Sequence, residues 1–372
     1  MVLAAGKPGI FRRRRTRSTG WIGIDIGAGA VKLAQVEFRS NRWVLARTAL
    51  VPWPEPGPLT VESVANGQLA GLVREALREC GDFRGRDAAC LFSPTATELV
   101  TLEVPAAAEP ELYDLICQEL SAHREGSSED LAFDYWEAHP SMTTSESGAV
   151  AMHVVGVRRE LVEQSATELD AGRLTCRGVD GAPFTLARAL LLTDAPPADA
   201  EPVGVLDWGH SSALLAVVSG GQPVFSRALR TCGCAGLMKA VETALSLSSP
   251  EARHLLATCG VSESVDSRTD RQDLPEFVAE LLRGPIDEML GELHKTLAFL
   301  KHQSPALAPW RIWLTGGGAT VRNMDRSLAA GLGLAVRNWR APQSGNFDGL
   351  SGQLPVELFA NAAALSLGGL DP

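Results

Sequence analysis

The chain has 372 residues, 45% of them hydrophobic, with 34 Lys and Arg against 44 Asp and Glu and a formal charge of −10. At roughly 100–200 residues per domain this specifies a globular protein of two or three domains and excludes a small stapled scaffold. Seven cysteines, at 80, 90, 117, 176, 232, 234 and 259, include no CxxC pair, so neither a disulfide framework nor a zinc site is indicated and a reducing compartment is expected. No run approaches the roughly 18 apolar residues of a membrane span and no signal peptide is evident, so a soluble cytoplasmic protein is expected.

Charge is unevenly spread. Residues 1–19 hold Lys7, Arg12, Arg13, Arg14, Arg15 and Arg17 and no acid, a segment of +6 that leaves −16 on the rest of a chain whose total is −10. An acidic body is a poor general nucleic-acid binder. The arm either contacts anionic lipid through Arg12 to Arg15, at about 1 kcal/mol per basic residue, or is a disordered tail.

After the arm, WIGIDI at 21–26 predicts a buried strand, Gly27-Ala28-Gly29 a tight turn, and 30–38 and 43–51 two further strands. Four prolines at 52–58 require a loop, and 61–80 has helical periodicity. Strands are expected at 98–104, 131–138, 149–157 and 174–179 and helices at 109–123 and 159–171, with a polar loop at 141–147; together these form a compact α+β insert. A second three-strand meander follows at 203–207, 213–218 and 223–229. Helices are predicted at 236–247, 250–259 and 284–302, then a strand at 311–315 that runs into Gly316-Gly317-Gly318. Helices at 321–332 and 355–368 close the chain.

The two meanders share one grammar: a strand ending in Asp-x-Gly, Asp25-Ile26-Gly27 and Asp207-Trp208-Gly209, followed directly by a hairpin. Such a repeat marks a duplicated architecture. Gly27 and Gly29 do not open a dinucleotide fingerprint, because position 32 is Lys and the turn leads into a strand; no GxxxxGK[ST] occurs either. Glycine turns let backbone N–H groups approach a phosphate. Asp25 and Asp207 would then flank a phosphate-bound Mg²⁺, which takes one or two carboxylates, and Lys32 would supply a point charge. Read singly, each Asp-x-Gly is a strand end capped by Asp, and the triple glycine is a strand-to-helix turn. No GxSxG or HExxH anchors a hydrolase. His294 and His302 have no metal spacing, and Cys232-Gly233-Cys234 lacks a third ligand.

The two Asp-x-Gly hairpins and the triple glycine resemble the phosphate-1, phosphate-2 and adenosine motifs of the actin, sugar-kinase and heat-shock-chaperone superfamily. Within it, the chain resembles the PilM family of type IV pilus assembly through GIDIGAGAVKLAQVEF (23–38), VRRELVEQSATELDAGRLTCRGVDGAPFTLARAL (157–190), SSPEARHLLATCG (248–260), WLTGGGATVRNMDRSLAAGLGL (313–334) and the closing LFANAAALSLGGL. The resemblance implies an α/β, actin-like two-lobed fold: a duplicated three-strand meander plus helices, with an α+β insert subdomain. The implied divisions are a basic arm (1–19), first-lobe subdomain 1A (20–96 and 177–200), insert 1C (97–176), second-lobe subdomain 2A (201–235 and 306–354), 2B with interlobe helices (236–305), and a C-terminal helix (355–372).

It also implies a scaffold of type IV pilus or type II secretion assembly at the inner face of the inner membrane that binds the N-terminal peptide of a PilN-like membrane protein in a groove between the first subdomain and the insert. ATP, with Mg²⁺ on Asp25 and Asp207, would occupy the interlobe cleft, hydrolysed weakly or not at all. On this carry-over the nucleotide-binding residues are Asp25, Gly27, Gly29 and Lys32 (phosphate-1), Asp207 and Gly209 (phosphate-2) and Gly316, Gly317 and Gly318 (adenosine). Trp208 and His210 stand where the family has small or aliphatic residues, and Arg253 and Leu256 replace a Glu and a Lys directed at the nucleoside. These departures predict bulk in the γ-phosphate space and a weakened site. The alternatives on the same fold are an ATP-dependent kinase or ATPase and a filament-forming division protein like FtsA.

Overall fold

A computed structural model describes residues 19–109, 111–124, 127–139, 149–193, 201–261, 273–341 and 354–369. The basic arm with Arg12 to Arg15 and the polar loop at 141–147 lie outside the described residues.

Two five-stranded sheets repeat one plan. In the first, β1 (Ile22–Ile26), β2 (Ala30–Arg39) and β3 (Arg42–Pro52) form an antiparallel meander, and β4 (Asp87–Phe92) and β8 (Thr175–Val179) add in parallel, giving the order β3-β2-β1-β4-β8. In the second, β9 (Val203–Trp208), β10 (Ala213–Ser219) and β11 (Gln222–Leu229) form the meander and β12 (Arg311–Thr315) and β13 (Ala335–Asn338) the parallel pair, in the order β11-β10-β9-β12-β13. β1 and β9 are fully buried because each is central and covered on both faces. This is the duplicated architecture expected from the repeat, and the actin-like fold that the resemblance implied.

Helices α1 (Val61–Val64), α2 (Gln68–Cys80) and α4 (Arg159–Ala171) cover one face of the first sheet, over a core of Ile24, Val31, Leu69, Val73 and Leu161. Helices α6 (Ala235–Leu245), α7 (Ser249–Thr258), α8 (Asp273–Gln303) and α9 (Met324–Leu332) build the second lobe around Trp208, Leu237, Leu282 and Met289. Between the sheets lie α5 (Ala182–Ala189) and α10 (Ala360–Ser366), which pack on each other.

The insert is smaller than the sequence suggested. Its sheet is β5 (Thr97–Pro105), β7 (Ala149–Arg158) and β6 (Leu131–Glu137) in the order β5-β7-β6, with α3 (Glu111–His123) on one face over Leu102, Val104, Ile116 and Met152. The helix at 159–171 and the strand at 175–179 belong to the first lobe, since β8 pairs with β4 and α4 packs on α2. The opposite face of the insert meets the second lobe: Trp136 Nε1 donates to the Pro223 carbonyl at 3.0 Å, and its ring meets Phe184 edge-on at 4.7 Å.

Other boundaries also move. The helix read over 61–80 breaks at Asn66 and Gly67, both at positive φ (58° and 80°). The helix read from Gly284 begins at Asp273 and continues through Pro285, its earlier turns held by buried Val278 and Leu282. The closing segment is not one helix but a 3₁₀ turn, α10 and a second 3₁₀ turn. Strands β4 and β13 and helix α5 were not anticipated. No helix among the described residues is long and apolar enough to cross a membrane.

Candidate functional site

Asp25 is the register partner of Lys32 across the first hairpin, so the two side chains share a face, and Lys32 Nζ donates to Asp25 Oδ2 at 2.7 Å. The turn between them is clasped from outside by the proline loop: Trp53 N–H and Nε1–H donate to the carbonyls of Gly29 (3.2 Å) and Gly27 (2.8 Å), and Gly57 N–H donates to that of Ala28 (3.0 Å). A cavity of about 370 Å³, lined by Trp53, Pro58, Leu59, Gln68 and Leu72, opens on the far side of that loop.

In the second hairpin, Asp207 occupies the position in β9 that Asp25 has in β1. Its Oδ2 accepts from Asn361 Nδ2 at 2.8 Å, and Asn361 Oδ1 in turn accepts from Thr185 Oγ1 at 2.8 Å. Asn361 lies on α10 and Thr185 on α5, so both interlobe helices hold the aspartate. The turn at Gly209 is fixed by Cys234 N–H donating to the Gly209 carbonyl at 2.9 Å.

The hairpins meet. A Cβ placed on Gly29 would lie 2.8 Å from Cγ of His210, so the imidazole packs directly on the first turn. Burial drives Lys32 down, but Asp25 and then Asp207 outweigh it and hold the ammonium above its ordinary value. The cation is therefore bonded to Asp25 and lies within electrostatic reach of Asp207 from the opposite lobe. Burial, reinforced by Asp25 and opposed by Lys32 and Asn361, lifts Asp207 to about 6. Burial keeps His210 below the usual imidazole value against Glu242, with Lys32 adding, so it is neutral near pH 7. Burial also pushes the Cys234 thiol up to about 12, which makes it a filler and not a nucleophile.

The glycine triplet packs on protein. Gly316, at φ +83°, faces the Asp207 carboxylate and the Trp208 carbonyl; a Cβ on Gly317 would lie 2.6 Å from Cys234 Sγ, and one on Gly318 would lie 2.5 Å from the Trp208 ring. Trp208 does not enter the cleft as expected. Strand alternation turns it away from Asp207, into the second-lobe core. Leu256 is likewise core, and Arg253 is exposed. Of the departures, only His210 adds bulk between the hairpins.

The structure thus brings Asp25, Lys32, Asp207, Gly27, Gly29 and Gly209 together, with the triplet immediately behind Asp207. Two carboxylates around an ammonium between glycine turns fit the phosphate and Mg²⁺ end of a nucleotide, while the triplet's Cβ-free faces are filled by Asp207, Cys234 and Trp208. Sequence reasoning missed Asn361 and Thr185. The available signal was a lone amide in the apolar run FANAAALS.

The model of the family described as type IV pilus assembly protein PilM matches residues 23–339. No curated protein matches. Among solved structures, a PilM-PilN type IV pilus biogenesis complex is similar with a TM-score of 0.73 and 24% identity, covering 95% of this chain and 99% of that one. The ethanolamine utilization protein EutJ from Carboxydothermus hydrogenoformans is similar at 0.52 and 14% identity, covering 98% and 92%. Both likenesses are of fold.

Proposed function

The chain belongs to the PilM family of type IV pilus assembly proteins, and we propose that it is a cytoplasmic scaffold of such an apparatus, held at the inner face of the inner membrane by its partner. In this reading it holds Mg²⁺-ATP between the two Asp-x-Gly hairpins as a structural ligand and binds the N-terminal peptide of a PilN-like membrane protein between the first subdomain and the insert.

The observation that carries the nucleotide part is Lys32 paired with Asp25 and within electrostatic reach of Asp207. When bound, Mg²⁺ would neutralise polyphosphate charge while taking only one or two carboxylates and keeping waters. Asp25 and Asp207 would orient those waters, and Lys32 would exchange part of its hold on Asp25 for a phosphate oxygen. Asp25 is paired with Lys32 and Asp207 is held by Asn361, so both carboxylates are fixed in place beside the glycine turns. In this reading the site holds the nucleotide, with an ATP-dependent kinase or ATPase on the same fold as the alternative. The similar PilM-PilN complex supports a PilN-like partner.

Calorimetric titration with Mg²⁺-ATP tests the cleft: saturable micromolar binding, about −8 kcal/mol, is expected. No heat at millimolar ATP would remove the nucleotide and leave the scaffold. A labelled N-terminal peptide of the PilN-like partner, read by fluorescence anisotropy, tests the scaffold separately.

A further inference from the structure

We propose that Cys90 and Cys176 are a peroxide-sensitive dithiol, a modification site that links the interior of the first sheet to its edge. Their sulfurs lie 4.0 Å apart across β4 and β8, in direct contact, and a modest backbone movement along the edge strand would bring them to bonding distance. All seven cysteines are free. What separates this pair is the juxtaposition: Cys176 is the register partner of Ala88, two residues before Cys90 in β4, so the two side chains share a face and meet diagonally across the strands. Cys90 is wholly buried, whereas Cys176 is half-buried on the edge strand, where a small oxidant can arrive.

The two thiols are chemically unlike. The contact with Cys176, together with burial, holds the Cys90 thiol well above its ordinary value, and the same contact lowers Cys176. Cys176 can be reached from the sheet edge and Cys90 cannot, so Cys176 is the attacking sulfur and Cys90 the resolving one. With a hydroperoxide as oxidant, the Cys176 thiolate attacks the distal oxygen, the O–O bond breaks, and a sulfenic acid forms as water or an alcohol leaves. The Cys90 sulfur then attacks the sulfenic sulfur, its proton leaves with the hydroxyl as water, and the S–S bond forms. Two thiols are oxidised and one peroxide is reduced.

The location gives the bond a consequence. Asp180, just after β8, donates its N–H to the Cys90 carbonyl at 2.9 Å, and two residues later the chain enters α5, which carries Thr185. A disulfide would pin the strand that delivers this interlobe helix, whether or not the cleft holds a nucleotide.

The test uses the full chain, reduced and then exposed to equimolar hydrogen peroxide near neutral pH, with remaining thiols alkylated before trypsin. The expected product joins peptide 174–177 to the peptide beginning at Asp87, with fragment ions placing the link on Cys90 and not on Cys117. It should exceed any other cysteine pair by about 10-fold or more. In Cys90→Ser, Cys176 should stop at a sulfenic acid that dimedone captures. Cys176 driven to sulfinic acid in the wild type without a link, faster oxidation of any other cysteine, or full alkylation of both would overturn the proposal. The wild-type measurement decides even if the variant fails to fold.

Discussion

Asn361 Nδ2 donates to Asp207 Oδ2 at 2.8 Å, joining α10 to the strand end that begins the second hairpin. Both residues are nearly inaccessible. A single amide thus carries the position of the interlobe helices to the carboxylate at the cleft.

That carboxylate is costly to the fold. Asp207 is raised from an ordinary 3.8 to about 6, so the folded chain holds its proton more tightly than the unfolded chain. The associated stability is complete below about pH 4 and is lost as pH rises through about 6. Asp207→Asn, neutral throughout, is expected to be more stable than the wild type at pH 7.5 by roughly 1–3 kcal/mol, at about 1.4 kcal/mol per unit. Urea midpoints at pH 7.5, 6 and 4.5 check this: the gain must shrink on acidification, and a constant gain would reject burial as its cause. The same variant should bind Mg²⁺-ATP more weakly.

Removing the cation works in the other direction. Lys32→Ala leaves Asp25 without its partner and Asp207 without its counter-charge. Breaking a buried pair costs about 3–5 kcal/mol, and the lower end is expected because Lys32 retains some exposure. Lys32 is raised, so its contribution is present below its unfolded value of 10.5 and is lost only as pH rises through its folded value; the full deficit should appear from pH 7 to 9. If ATP binds, Lys32→Ala and Asp25→Ala should each weaken it by roughly 1–3 kcal/mol. Wild-type affinity in both would remove these residues from the site.

The contact between Gly318 and Trp208 can be tested as a pair. Gly318→Ala drives a Cβ to 2.5 Å from the indole and should cost about 1–3 kcal/mol by overpacking. Trp208→Leu opens a cavity, yet also removes a buried indole N–H that has no hydrogen-bond partner. In the double variant the added methyl fills part of that cavity, so denaturation should give a loss smaller than the sum of the two single losses. Strict additivity would show that the two side chains do not meet.

The duplicated meanders were legible because Asp-x-Gly followed by a hairpin is a local pattern, and the resemblance in five segments extended it to the fold. What stayed hidden was long-range. The strand Asp87–Phe92 reads as a short apolar run, and only its parallel pairing between Ile22–Ile26 and Thr175–Val179 makes it central. Trp208 reads as a cleft residue because sequence gives its neighbours and not its face; one residue of strand alternation separates it from Asp207. Asn361 is 154 residues from the aspartate it holds, and no local rule spans that distance.

The insert should behave as a tether between the lobes, released by acid. His153 Nε2 lies 3.4 Å from the Val224 carbonyl, which can only accept, so Nε2 carries the proton and Nδ1 accepts from Thr101 Oγ1 at 2.8 Å. Burial holds His153 below its ordinary 6.5, a neutral ring whose stabilising contribution is present above that value and is lost as pH falls through the folded one. Trp136, beside it, donates to Pro223, and Arg230 reaches from the second lobe to the Thr97 carbonyl at 3.1 Å. Lowering pH from 7.5 to 5 should therefore speed hydrogen exchange along Gln222–Leu229, after correction for intrinsic rates, while Arg311–Thr315 stays protected. Trp136→Ala should give the same pattern at pH 7.5, with a loss of about 2 kcal/mol for a half-buried indole. His153→Gln should abolish the pH dependence. Acid-accelerated exchange that persists in His153→Gln would show that another group loosens the insert.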